Sequence, residues 1–228
     1  MDQLRLGIIG AGPIVEKKHL PALLEVPEIA VVAVCRRNVE HLHRLADRFR
    51  IPKCYTDYRD LLDQADIDAV LVATGPDDRP AIVTDAAAAR KHIFAEKPMA
   101  ETSAQAREMS EAIRAAGVHF QIGFNKRFYY GYRQAKRLAQ HGELGSLSGI
   151  SARFWFQPGR RDAMLHNGIH FLDLMTFFMG PAREVFARGA RPPAPDPGAP
   201  VPETLAVSLT FESGAVGNLL LSSAASWD

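Results

Sequence analysis

Cysteine is scarce in this chain: Cys35 and Cys54 are its two. That is too few for a disulfide framework or a four-cysteine metal centre, and it fits a reducing compartment. No charge of one sign dominates. Lys and Arg total 27 against 26 Asp and Glu, a formal net charge of +1, so there is no basic field to attract nucleic acid or an anionic membrane surface. No apolar run approaches the ~20 residues of a bilayer span. The strand-like Leu4–Ile9 begins where a secretory leader would need a basic head and a longer apolar stretch. A cytoplasmic location is therefore expected. Internal repeats are absent as well. What is present is a globular composition, 47% hydrophobic and 23% charged over 228 residues, enough to bury a core without covalent or metal support.

From residue 4 to about residue 123, short apolar runs alternate with amphipathic stretches of helical length. The runs are Leu4–Ile9, Ile29–Cys35, 69–73, His92–Ala95 and 119–122, with Lys53–Tyr55 as a weaker sixth. Helices are expected at 14–25, Val39–Phe49, 58–64, 81–89 and Ser103–Ala116. The runs show no polar alternation, as strands covered on both faces require. Strand–helix repetition of this kind predicts an α/β Rossmann domain with a doubly wound parallel sheet over residues 1–123. The rhythm then changes. A helix at 132–140, a long strand at 146–157, an apolar helix at 168–179 and a hairpin of strands at 205–212 and 215–222 predict an α+β domain over 124–228. Its sheet is expected to be open and mainly antiparallel. The proline-rich stretch 190–202 reads as an exposed loop.

Gly10-Ala11-Gly12-Pro13-Ile14-Val15 directly follows the first strand and opens a helix. Glycine lets the turn tighten and lets backbone approach a pyrophosphate, whose charge sits at the helix N-terminus. A tight turn without ligand is the plainer alternative, but position at the first strand of a βαβ unit favours dinucleotide binding. Val15 stands where a third small residue is usual. The second strand ends in Arg36 and Arg37, where a site preferring NAD would carry an acidic group for the ribose 2′-hydroxyl. Guanidinium groups pair with phosphate and stack on adenine. NADP is accordingly favoured over NAD, with two solvated arginines as the alternative.

These residues, with several motifs downstream, give the chain a family likeness. It resembles the glucose–fructose oxidoreductase / inositol dehydrogenase / rhizopine catabolism protein family of NAD(P)-dependent oxidoreductases, from residue 4 to residue 222. The likeness rests on the Gly10–Gly12 turn followed by His19-Leu20-Pro21, and on Glu96-Lys97-Pro98. It rests further on Gly123-Phe124-Asn125-Lys126-Arg127-Phe128, Gly142-Glu143-Leu144-Gly145 and Gly168-Ile169-His170-Phe171-Leu172-Asp173. The resemblance implies that Lys97 lies beside the nicotinamide and the reacting carbon, and that His170 binds substrate or exchanges its proton. It also implies a cis bond before Pro98. Alcohol oxidation agrees with such roles, because the cofactor takes the hydride and the protein must position the oxygen and handle its proton. A solvated lysine and a helix-start histidine are the plainer readings of each residue alone. Asp173, at i+3 from His170, can share its face.

The expected site is therefore Lys97, His170, His166 and Asp173 for catalysis, and Lys97, Lys126, Asn167 and His170 for substrate. Gly10, Gly12, Pro13, Ile14, Arg36, Arg37, Thr74, Glu96, Lys97 and Asn125 are expected around the cofactor. Two departures from the family bear on the substrate. His166 stands where relatives carry an aspartate, and Arg79 stands where they carry a histidine after the fourth strand. His166 and His170 have a spacing that could chelate, but no third ligand rich in carboxylate is evident, so no metal is expected. The expected activity is hydride transfer between nicotinamide and a hydroxyl or keto carbon of a sugar, cyclitol or similar small polar molecule. The alternatives are a cofactor-binding sensor with impaired catalysis, or the same chemistry on a non-sugar substrate. Relatives continue beyond residue 222, so either the sequence is a fragment or the second domain is shortened and its sheet is completed by another chain; a homo-oligomer through that sheet is expected.

Overall fold

A computed structural model describes residues 3–155, 164–190 and 204–223, apart from the side chains of Leu165 and His166. The predicted loop at 190–202 and the last residues of the strand expected at 146–157 thus lie almost wholly outside the described residues. The chain divides into two compact units, Met1–Gly123 and Phe124–Asp228.

The first unit is a doubly wound α/β domain. Strands β1 (Leu4–Ile9), β2 (Ile29–Cys35), β3 (Lys53–Tyr55), β4 (Ala69–Val72), β5 (His92–Ala95) and β6 (Phe120–Ile122) form one sheet in the order β3-β2-β1-β4-β5-β6. Every pairing in it is parallel. The order reverses beside β1, the topological switch point at which open α/β sheets hold their ligands. Helices α1 (Leu20–Leu23) and α2 (Val39–Phe49) lie on one face, and α3 (Tyr58–Leu62), α4 (Arg79–Ala88) and α5 (Ser103–Ala116) complete the set. One core cluster joins Leu6, Ile8 and Leu71 to Val15, Leu20 and Leu42. A second joins Ile9, Val70 and Val72 to Leu61, Ile82, Val83 and Met109. Burying each such side chain contributes about 1.5–3 kcal/mol.

Local chemistry sets the helix limits. Asn38 caps α2 by accepting the His41 N–H at 2.9 Å. Thr102 and Gln105 form a reciprocal capping box at the start of α5, and Gly117 ends it in the left-handed conformation at φ 66°. Two boundaries differ from expectation. The helix predicted at 14–25 opens as a wide π-turn, Val15–His19, and becomes α-helical only over Leu20–Leu23. Pro21 has no N–H to return to the preceding turn, and the Leu20 N–H reaches back to Val15 instead. Helix α4 starts at Arg79, two residues before the predicted start, because Pro80 suits the first turn.

The second unit holds a four-stranded sheet in the order β7-β10-β9-β8, from β7 (Gly149–Trp155), β8 (Ala182–Ala190), β9 (Thr204–Phe211) and β10 (Val216–Ser222). It is mixed: β7 and β10 run parallel, and the other pairings are antiparallel. Helices α6 (Tyr130–Gln140) and α7 (Ile169–Met179) belong to this unit. Met175 and Met179 of α7 pack on Val207, Leu209, Phe211, Leu219 and Leu221. Strand β8 was not foreseen; all nine of its residues are exposed, so it lacks the half-buried alternation that marks a strand. Among the described residues, no helix is long and apolar enough to cross a membrane.

Candidate functional site

The turn after β1 is shaped by two glycines with different tasks. Gly10 has φ +90°, and a Cβ there would stand 2.8 Å from the backbone of Ala73 and Thr74. The first strand's exit is therefore pressed against the exit of β4, and no other residue fits. At Gly12 an added Cβ would meet nothing within 4 Å, so the backbone stays open where a pyrophosphate needs close approach. The Gly12 carbonyl accepts from the N–H groups of Val15 and Glu16, which starts the helix there. Val15 is fully buried and packs into the core beside β1.

A cavity of about 710 Å³ opens at the carboxyl ends of β1, β2 and β4, within the roughly 300–1,000 Å³ typical of small-molecule sites. Gly10, Gly12, Arg36, Arg37 and Thr74 line it, together with Asp57, Tyr58 and Asp78. The Arg36 guanidinium donates to the Ala11 carbonyl, so it lies directly on the glycine turn. Arg37 pairs with Asp78 at 3.2 Å on the surface. Pro13 and Ile14 are exposed at the helix start and are not among the lining residues. The arrangement fits a dinucleotide: an open glycine backbone, a helix start and a cation at the end of β2. The Cys35 thiol at the rim is pushed up to about 11 by burial, with Asp57 and Asp60 adding to it, and stays protonated.

Past β5 the chain runs Glu96, Lys97, Pro98, with the Lys97–Pro98 bond cis. The Glu96 carboxylate bonds His19 Nε2 at 2.9 Å and accepts the Lys97 backbone N–H at 3.2 Å. Burial opposes its charge, but the His19 bond, the Lys97 N–H and the Lys97 ammonium together hold its carboxyl below the usual range. His19 in turn meets the Phe94 ring edge-on at 6.0 Å. Lys97 is half-buried. Arg79 is buried nearby and donates to the carbonyls of Thr74 and Pro98. Sequence reasoning gave His19 no role and treated Arg79 as a departure only; His19 and Glu96 are 77 residues apart, and no local pattern joins them.

In the second unit, Asn125 and Lys126 open a short 3₁₀ turn, Asn125–Phe128. The Lys126 ammonium stands 5.2 Å from the Phe171 ring and 5.8 Å from that of Tyr129. His170 meets Phe124 edge-on at 6.3 Å, and Asn167 belongs to the π-turn Met164–Gly168 that leads into α7. Asp173 is buried, and its two carboxylate oxygens take Arg127 Nε and Nη2 at 2.8 and 2.5 Å. Its first partner is thus Arg127, a residue the sequence reading did not single out. The side chain of His166 lies outside the described residues. Among the described residues, no group of three His, Cys, Asp or Glu side chains could hold a metal ion.

A family profile described as an oxidoreductase family with an NAD-binding Rossmann fold matches residues 4–124, and the GFO/IDH/MocA C-terminal domain matches residues 132–228. The chain belongs to the GFO/IDH/MocA family. It is 33% identical to the uncharacterized oxidoreductase YrbE of Bacillus subtilis over 94% of its own length and 65% of that protein's. To the myo-inositol 2-dehydrogenase of Thermotoga maritima it is 29% identical, over 94% of this chain and 67% of that one. Among solved structures, a probable dehydrogenase from Thermotoga maritima superimposes with a TM-score of 0.85 at 29% identity, over 97% of this chain and 69% of the other. The chain spans about two thirds of the length of these GFO/IDH/MocA relatives.

Proposed function

We propose that this chain is a nicotinamide-dependent oxidoreductase that transfers a hydride between NADP(H) and a hydroxyl or keto carbon of a sugar or cyclitol. The observation that carries the reading is the cavity over the Gly10–Gly12 turn with Arg36 at its edge, on a sheet whose fifth strand leads into Glu96 and Lys97. Membership of a family described as NAD-binding supports the cofactor class. The relatedness to a myo-inositol 2-dehydrogenase supports the substrate class. The preference for NADP rests on Arg36, whose guanidinium reaches the glycine turn, with Arg37 able to exchange Asp78 for phosphate.

The bound dinucleotide supplies the hydride acceptor or donor. Lys97 holds the substrate oxygen through Nζ and takes up or returns its proton. Glu96 fixes the chain at Lys97 by binding its backbone N–H, and His19 holds Glu96 in turn. His170 serves substrate binding and proton exchange, and Asn167, Lys126, His166 and Asp173 are assigned to the same task. Residues 124–228 are read as the substrate-binding and oligomerising part. Both cysteines are free thiols, the state a cytoplasmic location calls for.

Titration with NADPH and NADH, followed by nicotinamide fluorescence, tests the reading directly. NADPH is expected to bind more tightly, and Arg36→Ala to weaken it roughly 10- to 100-fold, the equivalent of one charge-assisted bond, while NADH affinity holds. Equal affinity for both would remove the NADP preference and keep the enzyme class. Binding of neither would overturn the assignment.

A further inference from the structure

We propose that Arg79 is a positioning residue for Lys97: its guanidinium ties the loop after β4 to the turn after β5 and so fixes the segment that carries the lysine. The inference rests on the oxidoreductase reading for what Lys97 does, and on geometry for how Lys97 is held.

Strands β4 and β5 are neighbours, paired from Ala69 with His92 to Val72 with Ala95. Their backbone ladder ends with the Glu96 N–H donating to the Val72 carbonyl at 2.9 Å. No further backbone bond joins β4 to β5 past it among the described residues; the Ala73 N–H donates to Ile9 on the β1 side and the Gly123 N–H to Ala95 on the β6 side. At this gap Arg79 enters from the first turn of α4. One terminal nitrogen donates to the Pro98 carbonyl and the other to the Thr74 carbonyl. A rigid planar fork with two N–H groups in fixed directions replaces the missing rung. The carbonyl of Pro98 lies one residue beyond Lys97, and Glu96 grips the lysine's own N–H from the other side. The lysine backbone is thereby held from both flanks.

Packing alone does not account for this residue. Arg79 is 3% exposed, and its Nε has no partner among the described residues. Burying a guanidinium is costly, and an apolar side chain of similar volume is often neutral or stabilising in such a place. Burial pulls the Arg79 pKa down, and the Glu96 carboxylate opposes that pull. The charge therefore belongs to the same group of residues that surrounds Lys97, which is what a positioning role requires.

The test compares wild type, Arg79→Ala and Arg79→Lys in three measurements: thermal stability, acetylation rate of each lysine by peptide mass spectrometry, and steady-state kinetics. In Arg79→Ala the Lys97 acetylation rate is expected to depart from wild type while the exposed Lys17 and Lys18 keep theirs. On a substrate that turns over, kcat should fall roughly 100-fold, as expected for a reacting group displaced by about an ångström, with the dinucleotide KM unchanged. Arg79→Lys should fall between the two, and added guanidinium ion should return Arg79→Ala toward wild type in both labelling and kcat. An unchanged Lys97 rate in a folded Arg79→Ala protein overturns the proposal. So does failure of both variants to fold, because Arg79 would then be a structural group only. If wild type turns over no substrate, the oxidoreductase reading fails while the labelling still decides whether Arg79 positions Lys97.

Discussion

Lys97 is half-buried, with Glu96 on its backbone N–H, so removing its ammonium should affect chemistry far more than folding. Lys97→Ala is expected to lower kcat roughly 10²- to 10⁴-fold, the range of a general acid–base group, while the urea midpoint stays near wild type. A variant that keeps full turnover would take Lys97 out of the mechanism. At this scale the sequence is informative where chemistry is local. The glycines at positions 10 and 12 could be singled out because turn tightness and backbone approach are properties of adjacent residues. The Arg36–Ala11 contact joins a second strand to the turn after the first, so the motif hints at it and only the parallel pairing of β1 with β2 produces it. The His19–Glu96 bond, the Arg79 fork and the Arg127–Asp173 pair were not legible. His19 and Glu96 are 77 residues apart and Arg127 and Asp173 are 46 apart; the Arg79 fork is shorter-range, but a buried arginine looks the same in sequence as a solvated one.

Helix ends set most of the element boundaries, and two of them end on unusual residues. Helix α2 closes with Arg50 at φ 55°, where the Ile51 N–H reaches the Ala46 carbonyl at 2.9 Å. Helix α4 is followed by Arg90 at φ 59°, where the Lys91 N–H reaches Ala86 at 3.0 Å. Both are Schellman closures with a side chain in the left-handed position that glycine occupies at Gly117 after α5. Arg50→Gly should therefore stabilise the protein by about 0.5–1 kcal/mol, because an L side chain is strained there. Arg90→Gly should gain less, since Arg90 also donates to the Ala116 carbonyl at 2.8 Å. Urea denaturation measures both, and a loss of stability in Arg50→Gly would contradict the strain argument. A second test concerns how β1 is tied to β4. Asp68, just before β4, accepts the Arg5 backbone N–H, Nε and Nη2 at 2.9, 2.9 and 2.5 Å. The Arg5 side-chain bond above all holds its carboxyl at about 2. Because the folded value lies below the ordinary value of about 3.9, the pair's contribution is complete above pH ~4 and is lost as the pH falls toward 2. The difference in urea midpoint between wild type and Asp68→Asn should hold at neutral pH and shrink from pH 4 downward. The effect is modest, because both side chains are partly exposed. Elements with strong burial were legible from apolar runs; β8 was not, because exposure along its whole length leaves no alternation to read.

For the molecule as a whole, the change of rhythm near residue 123 was visible because a parallel sheet buried on both faces and a one-sided mixed sheet leave different hydrophobic patterns. The second sheet shows that one-sidedness plainly. Val207, Leu209, Leu219 and Leu221 point to α7 and are buried. Phe186 pairs across the ladder with Ser208 on the opposite face and is 60% exposed, and Val216 is 57% exposed. That face carries a shallow concavity of about 960 Å³ lined by Ser151, Phe186, Ser208, Thr210, Val216 and Asn218. Exposed apolar side chains on a sheet face and an exposed terminal strand invite pairing with another chain, and proteins normally cover or charge them. The homo-oligomer proposed for residues 124–228 would use this face: two copies would bury Phe186 of β8 and Val216 of β10 against each other, with the Ser208–Thr210 row of β9 between them. Sedimentation at micromolar concentration is expected to show a species larger than the 25.1 kDa chain. Phe186→Glu combined with Val216→Glu should shift it to monomer, since like charges directly opposed across an interface are strongly disfavoured. Nicotinamide binding by the first unit should survive that shift, because none of the cofactor-cavity residues lies on the second sheet. A wild-type protein that remains monomeric throughout the concentration range would rule out association through this face.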